Sequence, residues 1–366
     1  MSFYQKYQQY QDFDFGQFFK QVTEKNIQEI LEQDQITKQD FLALLSPAAE
    51  NCLEEMAQKA RQLTVQNFGR VVSLYAPLYI ANYCVNQCTY CGFRSDNEIP
   101  RTKLSLAEIK KEAEALAAMG IKNLLILTGE SRQQTPLSYL KDAVEVLKDY
   151  FPSLAIEIYP LETAEYEELI AAGVDSLTIY QEVYDEEVYQ QVHLKGPKTD
   201  YHFRLNAPER GCRSGMRSVN IGALLGLNDW QQESFWAGLH AQHLQDKYLG
   251  TKINLSLPRL NPQGSDFTEQ FVVTDKNLVQ IMLAFRLFLP RVGINISTRE
   301  SKELRNNLLP LGVTKMSAQS STAVGGYASE QDTEQFVTAD NRRVSEIKKM
   351  LLQQGYQSVF KDWQRI

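Results

Sequence analysis

The sequence predicts an α/β fold, an eight-stranded (β/α)8 barrel of the TIM type with a helical extension at its N-terminus. From residue 71 onward, short apolar runs typical of buried strands alternate with helical patterns, which favours a parallel sheet. Eight such runs occur, the number that closes a barrel of this type. The 366 residues suffice for a barrel of about 250 residues with additional segments on both sides.

The predicted strands and helices alternate through most of the chain, and all the intervals between strands but the last admit a helix. The predicted strands cover residues 71–80, 122–128, 154–159, 176–180, 219–225, 253–257, 292–297 and 313–317. The clearest predicted helices cover residues 105–119, 136–150, 163–172, 230–247 and 275–289.

The segment before the first strand carries only helical patterns. Within it, Ser46 is a suitable N-cap and Pro47 suits the first helical position, so they predict the start of a helix that runs to about Phe68. The chain therefore divides into an N-terminal helical extension (1–70), the barrel (71–318), and a C-terminal loop and helix closing the barrel (319–366).

The composition limits the classes of function. The formal net charge of -7 and the pI near 5.4 argue against a basic nucleic-acid-binding surface. No run approaches the roughly 18 apolar residues of a membrane span, and the first residues contain no apolar signal-peptide core. We therefore expect a cytoplasmic protein without a nucleic-acid or membrane partner, in a compartment that keeps thiols reduced.

Three of the five cysteines, Cys84, Cys88 and Cys91, follow one another with the spacing C-x3-C-x2-C. Thiolates on one tight loop can converge on a metal centre, and soft sulfur ligands select zinc, copper(I) or an iron–sulfur cluster. Three ligands leave one position open, as a catalytic metal requires. A zinc site completed by a remote ligand and a disulfide with a spare thiol stay open as alternatives. Cys52 and Cys212 are isolated, which is typical of small buried apolar residues.

The cysteine spacing, with Tyr90 just before the last cysteine, resembles the signature of the radical S-adenosylmethionine (SAM) superfamily. The resemblance implies a [4Fe-4S] cluster in which the three cysteines hold three irons. The amino and carboxylate groups of SAM would chelate the fourth iron. The expected chemistry is reductive cleavage of SAM to a 5′-deoxyadenosyl radical.

In a (β/α)8 barrel the catalytic groups lie at the carboxyl ends of the strands. Gly129 and Glu130 follow the second strand and resemble a Gly-Gly-Glu-like motif that binds the SAM amino group, with Thr128 in place of the first glycine. Glu182, after the fourth strand, is a candidate for the ribose hydroxyls, and Arg204 resembles an arginine that pairs with the SAM carboxylate. An ordinary turn, a surface carboxylate and a helical salt bridge are the alternatives.

Later strand ends complete the predicted site. Residues 222–226 resemble a glycine-bearing stretch near the adenine, although glycine also relieves crowding at strand ends. Ser297 and Arg299 follow the seventh strand, where a guanidinium can take a carboxylate through two hydrogen bonds, so they are candidates for binding an amino-acid substrate. Arg259, after the sixth strand, is a second candidate that the sequence does not separate from a structural arginine.

Further motifs narrow the resemblance to the tyrosine lyases of thiamin thiazole biosynthesis. The related tyrosine lyases of [FeFe]-hydrogenase maturation carry a second cysteine-rich site near the C-terminus, whereas no cysteine follows Cys212 here. The motifs are Tyr180-Gln-Glu182, His193-Leu-Lys-Gly196, Pro258-Arg-Leu260, Ser297-Thr-Arg-Glu300 and Lys361-Asp-Trp363.

This resemblance implies cleavage of the Cα–Cβ bond of L-tyrosine to 2-iminoacetate and p-cresol. It also implies transfer of the imine to the thiazole synthase subunit ThiG, and electrons from a flavodoxin or ferredoxin. Two alternatives stay open. One is a radical SAM enzyme acting on another amino acid or of the hydrogenase maturation type, and the other is a non-catalytic barrel stabilised by zinc.

Overall fold

The computed structural model describes residues 2–260, 271–328, 333–361 and 363, and a closed parallel sheet forms its centre. Successive strands pair in chain order, and the eighth pairs with the first, so the predicted barrel is confirmed. The strands are β1 (Val71–Ala81), β2 (Asn123–Thr128), β3 (Ser153–Glu157), β4 (Ser176–Thr178), β5 (Ser218–Ile221), β6 (Lys252–Ser256), β7 (Gly293–Ile296) and β8 (Lys315–Ser317).

Five helices precede the barrel, and Ser, Asp or Thr side chains cap the first four by accepting a backbone N–H. They are α1 (Phe3–Tyr7), α2 (Phe15–Gln21), α3 (Glu24–Glu32), α4 (Lys38–Leu44) and α5 (Leu53–Phe68). The predicted start of the fifth is wrong. Pro47–Cys52 forms a 3-10 helix instead, and the hydroxyl of Ser46 has no hydrogen-bond partner in the described chain.

Helices fill every interval between consecutive barrel strands. They are α6 (Leu106–Ala118), α7 (Leu137–Leu147), α8 (Thr163–Ala172), α9 (Glu186–Val192), α10 (Tyr201–Leu205), α11 (Ala207–Arg213), α12 (Trp230–Lys247), α13 (Asp275–Phe288) and α14 (Lys302–Leu308). The expectation that the last interval lacks a helix is wrong, because α14 lies there and Ser301 caps it by accepting from the Leu304 N–H at 3.2 Å.

The segment after β8 adds a helix, α15 (Val344–Gln353), and a ninth strand, β9 (Gln357–Val359). β9 pairs in parallel with the first residues of β1, at the amino-terminal end of the barrel. The intervening chain returns to the opposite end, where Val324 forms a bridge with Tyr79. No helix of the described ranges has the length and apolar content needed to cross a membrane.

The N-terminal extension packs against the outer face of α12 and α13. Phe41 of α4 stacks on Phe288 with ring centroids 4.4 Å apart, and Phe3 of α1 stacks on His240 at 4.1 Å. A side chain at Gly238 would enter this contact, because its Cβ would lie 2.5 Å from the Phe41 ring. The extension and the barrel therefore share one apolar core.

Gly238→Ala is expected to lower the free energy of unfolding by about 1–2 kcal/mol. The stacked Phe41 ring leaves no room for the methyl group, and overpacking outweighs the better helix propensity of alanine. Chemical denaturation of the apoprotein measures the change. Gly250→Ala is the control, since nothing lies within 4 Å of a Cβ there. Equal stability of the Gly238→Ala and wild-type proteins would show that the contact is not tight.

Candidate active site

A cavity of about 1210 Å³, counting the space open to solvent, lies at the carboxyl ends of the barrel strands. The predicted residues in its wall are Tyr90, Cys91, Glu182, Ser297 and Arg299. The remaining predicted residues do not line it, and they are Cys84, Cys88, Gly129, Glu130 and Arg204.

The cysteine loop follows β1 and carries three free thiols, with Cys88 buried and Cys84 and Cys91 half-buried. Burial, followed by the charge of Cys91, raises the pKa of Cys84, and burial raises the pKa of Cys88 to about 12. The charges of Cys84 and Cys91 also act on Cys88, so the three thiols lie close enough to interact electrostatically. Within the described ranges, no three His, Cys, Asp or Glu side chains surround a point for a single ion. An all-thiol set fits a [4Fe-4S] cluster, in which each thiolate binds a different iron.

Asn86, between the first two of these cysteines, fixes the loop to two other segments. Its Nδ2 donates to Oε2 of Glu130 at 2.6 Å, and its Oδ1 accepts from the Lys198 N–H at 2.9 Å. Gly196 allows this approach, because a Cβ there would lie 2.3 Å from Oδ1 of Asn86. The cysteine loop is thus tied to the end of β2 and to the segment after α9.

Gly129 and Glu130 both support the cysteine loop. A Cβ at Gly129 would lie 2.4 Å from the carbonyl oxygen of Tyr83, so glycine is needed for the approach of this loop. The Glu130 carbonyl accepts from the Val85 N–H at 2.9 Å. The close approach that the glycine permits is therefore to the cysteine loop itself.

Tyr90 is held by a buried histidine. Its hydroxyl lies 2.8 Å from Nε2 of His193, whose Nδ1 lies 2.8 Å from the Tyr189 carbonyl. A carbonyl can only accept, so Nδ1 carries the proton and Nε2 accepts from the Tyr90 hydroxyl. Burial and the nearby Lys198 charge lower the pKa of His193 to about 2, which keeps the imidazole neutral. This chain of hydrogen bonds fixes the Tyr90 ring in the cavity wall.

Glu182 adopts a left-handed backbone conformation with φ 72° and pairs with two cations. Its Oε1 lies 2.9 Å from Nζ of Lys198 and 3.0 Å from Nη2 of Arg204. Burial alone would raise the pKa of Glu182, but the two cations outweigh it and the pKa is lowered. Arg204 also donates to the Tyr180 carbonyl at 2.7 Å. Glu182, Lys198 and Arg204 therefore form a cluster of ionised side chains beyond the end of β4.

Arg299 lies in the cavity wall beyond β7. Its guanidinium carbon lies 3.4 Å from the ring centroid of Phe336, and its backbone N–H donates to the Ser297 hydroxyl at 3.3 Å. No carboxylate of the described chain lies within ion-pair distance of it. Arg259 differs, since it pairs with Glu300 and with Asp275 at 2.8 Å. Its contacts identify Arg259 as a structural arginine.

Gly222 follows β5, where the glycine-bearing stretch begins. A Cβ at Gly222 would lie 2.5 Å from the carbonyl oxygen of Ser256, the last residue of β6. Close contact between neighbouring strand ends accounts for this glycine.

Sequence reasoning missed two residues of the site. Glu157, the last residue of β3, lines the cavity, and burial followed by the charge of Glu182 raises its pKa to about 7. Gln335 donates through Nε2 to Sγ of Cys91 at 3.6 Å and accepts from the Tyr79 hydroxyl at 2.7 Å. A lone carboxylate at the end of an otherwise apolar strand was the available signal for Glu157. No local pattern marks Gln335.

Comparison with known proteins identifies two matching regions. The model of the radical SAM superfamily matches residues 78–235, and that of the Biotin and Thiamin Synthesis associated domain matches residues 256–357. A curated relative is the 2-iminoacetate synthase of Escherichia coli K12, 40% identical over 343 residues that cover 93% of this chain and 91% of that protein.

Solved structures are similar as well. The [FeFe]-hydrogenase maturase HydG of Carboxydothermus hydrogenoformans gives a TM-score of 0.88 at 32% identity, covering 95% of this chain and 83% of that one. Methylornithine synthase (PylB) gives a TM-score of 0.72 at 21% identity over 91% of this chain and 97% of that one, which supports the fold alone.

Glu157→Gln is expected to stabilise the apoprotein at pH 8. The pKa of about 7 in the folded state exceeds the ordinary value, so the folded protein holds a proton that the unfolded chain releases. Wild-type stability should therefore fall as the pH rises from about 4.5 through 7. Because the side chain is partly exposed to the cavity, we expect about 1–2 kcal/mol in favour of the variant at pH 8, and little difference at pH 4.

Thermal unfolding at both pH values measures this effect. Glu187→Gln, on the exposed side of α9, controls for the loss of one negative charge. A Glu157→Gln protein without a pH-dependent gain would exclude the raised pKa.

Proposed function

The chain belongs to the 2-iminoacetate synthase family of radical SAM enzymes, and on this premise we propose that it cleaves the Cα–Cβ bond of L-tyrosine. The products would be 2-iminoacetate and p-cresol, with 2-iminoacetate used for the thiazole of thiamin. The observation that carries the proposal is that Cys91 of the three-cysteine loop and Arg299 line the same cavity. A radical source and a carboxylate-binding group would then act on the same substrate.

In this proposal Cys84, Cys88 and Cys91 hold the [4Fe-4S] cluster, and SAM binds beside it. When bound, cluster and SAM supply the 5′-deoxyadenosyl radical that takes a hydrogen atom from the substrate amino group. The protein's part is to bind and orient the two molecules and to exclude water. Gln335 supports the cluster assignment, because its N–H···S hydrogen bond would be directed at a cluster thiolate.

The proposed SAM contacts are Tyr90, Gly129, Glu130, Glu182 and Arg204. Glu182 is suited to the ribose hydroxyls, since both cations bond its Oε1 and no hydrogen bond within the described chain occupies its Oε2. Arg204 uses Nε and Nη2 for protein contacts, which leaves Nη1 for the SAM carboxylate. Gly129 and Glu130 would present the amino-group site next to the cysteine loop.

The proposed substrate contacts are Ser297 and Arg299, which would bind the tyrosine carboxylate. An arginine held against an aromatic ring and lacking a protein carboxylate keeps its charge for a ligand.

We further propose the division into an extension (1–70), a barrel (71–318) and a closing segment (319–366). Its support is that Gln335 and Phe336 of the last segment line the cavity.

The proposed partners are ThiG, which would receive the imine before it hydrolyses, and a flavodoxin or ferredoxin as electron donor. A cytoplasmic location agrees with these partners and with the reduced thiols. The hydrogenase maturase function is less well supported, because this chain is 40% identical to the 2-iminoacetate synthase of Escherichia coli and 32% identical to the HydG structure.

The reconstituted protein should convert tyrosine under anaerobic conditions with SAM and dithionite, giving 5′-deoxyadenosine and p-cresol together. Deoxyadenosine without p-cresol would assign the chain to another radical SAM reaction, and tryptophan is the first alternative substrate to assay. Zinc without iron and sulfide in the purified protein would instead support the non-catalytic barrel.

Each of the variants Cys84→Ala, Cys88→Ala and Cys91→Ala should lose the cluster and fall below detectable p-cresol formation, because one iron loses its only protein ligand. Iron and sulfide analysis with the visible absorption of the cluster checks this. Cys212→Ala is the control and should keep the metal content of the wild type. A cysteine-loop variant that retains a full cluster would contradict the assignment of that residue.

Arg299→Ala should raise KM for tyrosine by at least about tenfold, since a charged hydrogen bond to the carboxylate is worth about 1.5–3 kcal/mol. Arg299→Lys keeps the charge and should recover part of the loss. Steady-state kinetics with the cluster content held equal gives the comparison. An Arg299→Ala enzyme with unchanged KM would remove Arg299 from the substrate site.

A further inference from the structure

The charged side chains in the cavity wall divide into a paired and an unpaired set. Glu182 and Lys198 neutralise each other at 2.9 Å. Glu157 and Arg299 also line the cavity, but no ion pair joins them, and the Glu157 carboxylate accepts no hydrogen bond from the described residues. One carboxyl group and one guanidinium of the cavity wall therefore have no ion-pair partner in the described part of the protein, and both line the same cavity.

An opposite pair of this kind matches the head group of a free amino acid. The substrate carries a carboxylate and an ammonium on the same carbon, and Arg299 is suited to the carboxylate. Glu157 is then the complementary group for the ammonium, because no other carboxylate in the described cavity wall is without a cation.

We propose that Glu157 binds the ammonium group of the substrate and accepts one of its protons, leaving a neutral amine for the hydrogen-atom transfer. This inference rests on the proposed function and adds a catalytic residue to it. In the step, an N–H bond breaks and an O–H bond forms on the carboxylate. The electron pair stays on nitrogen, so the transfer needs no oxidant or reductant.

The proton transfer prepares the amine for the radical step. Loss of a hydrogen atom from an ammonium would leave a positively charged nitrogen radical, whereas loss from an amine leaves a neutral one. A neutral aminyl group next to Cα can form the C=N bond of 2-iminoacetate as the Cα–Cβ bond breaks. Glu157 would therefore convert the bound ammonium form of the substrate to the amine that reacts.

The groups around Glu157 suit a base. The charged groups that act on it are Glu182, Arg299, Arg204 and Lys198. Three tyrosines share its surroundings, namely Tyr75, Tyr79 and Tyr180, and burial followed by the charge of Glu157 raises the pKa of each, so they stay neutral. Burial and Glu182 raise the pKa of Glu157 itself to about 7, near the value at which a general base works best at neutral pH.

The test compares Glu157→Gln and Glu157→Asp with the wild type, after iron analysis has shown equal cluster content. In the wild type, kcat/KM for p-cresol formation should rise with pH up to about 7 and then level off, because the carboxylate must be ionised to accept the proton. Glu157→Gln should lower kcat/KM at least about 100-fold and abolish this rise. Glu157→Asp should recover part of the activity and keep the rise.

Binding of 3-(4-hydroxyphenyl)propanoate, which lacks the ammonium group, distinguishes recognition of that group by Glu157 from a general effect of the substitution on folding. The wild type should bind tyrosine more tightly than this analogue, and Glu157→Gln should lose that preference. Glu233→Gln is the matched control, since burial also raises the pKa of Glu233 to about 7 but its carboxylate accepts from the Tyr184 N–H outside the cavity. It should keep both the preference and the pH dependence.

The outcomes distinguish this inference from the function on which it rests. A wild-type protein that forms no p-cresol overturns the tyrosine lyase activity. A wild-type protein that forms p-cresol, with a Glu157→Gln variant of unchanged pH dependence and unchanged preference for tyrosine, overturns only the role of Glu157.

Discussion

The two side-chain hydrogen bonds of Asn86 determine how the site is built. One joins the cysteine loop to Glu130 after β2, and the other joins it to Lys198, whose side chain pairs with Glu182 after β4. Three strand ends that are distant in sequence are thereby fixed relative to one another. The cysteine loop has no regular secondary structure, so these hydrogen bonds supply the rigidity that its backbone alone would lack.

The parallel barrel explains why the charges gather at one end. All eight strands point the same way, so their carboxyl ends lie at the same opening. Oppositely charged groups that meet there either neutralise each other, as Glu182 and Lys198 do, or stay available to a ligand, as Arg299 does. The left-handed conformation of Glu182 directs one carboxylate at two cations, and its backbone strain is offset by those ion pairs.

The sequence was sufficient for the eight strands and for the cysteine loop, because apolar runs and close cysteine spacing are local patterns. Prediction from the sequence failed for short helices and for residues whose contacts lie far away in the chain. Helix α14 has only seven residues and was missed, and Ser46 resembles a cap but makes no cap bond. Glu157 and Gln335 belong to the site because of their neighbours on other strands and loops. No local sequence pattern predicts such neighbours.

The pairing of β9 with β1 has a consequence for the order in which the molecule forms. The carboxyl-terminal half of β1 pairs with β2, which is near in the chain, whereas its amino-terminal half pairs with β8 and β9, which are distant. Contacts between such distant segments form slowly, since the entropy of closing the intervening chain is lost before any bonding is gained. The thiols that follow β1 are synthesised well before Gln335, the residue that donates a hydrogen bond to Cys91 in the folded protein. During translation they therefore lack that contact.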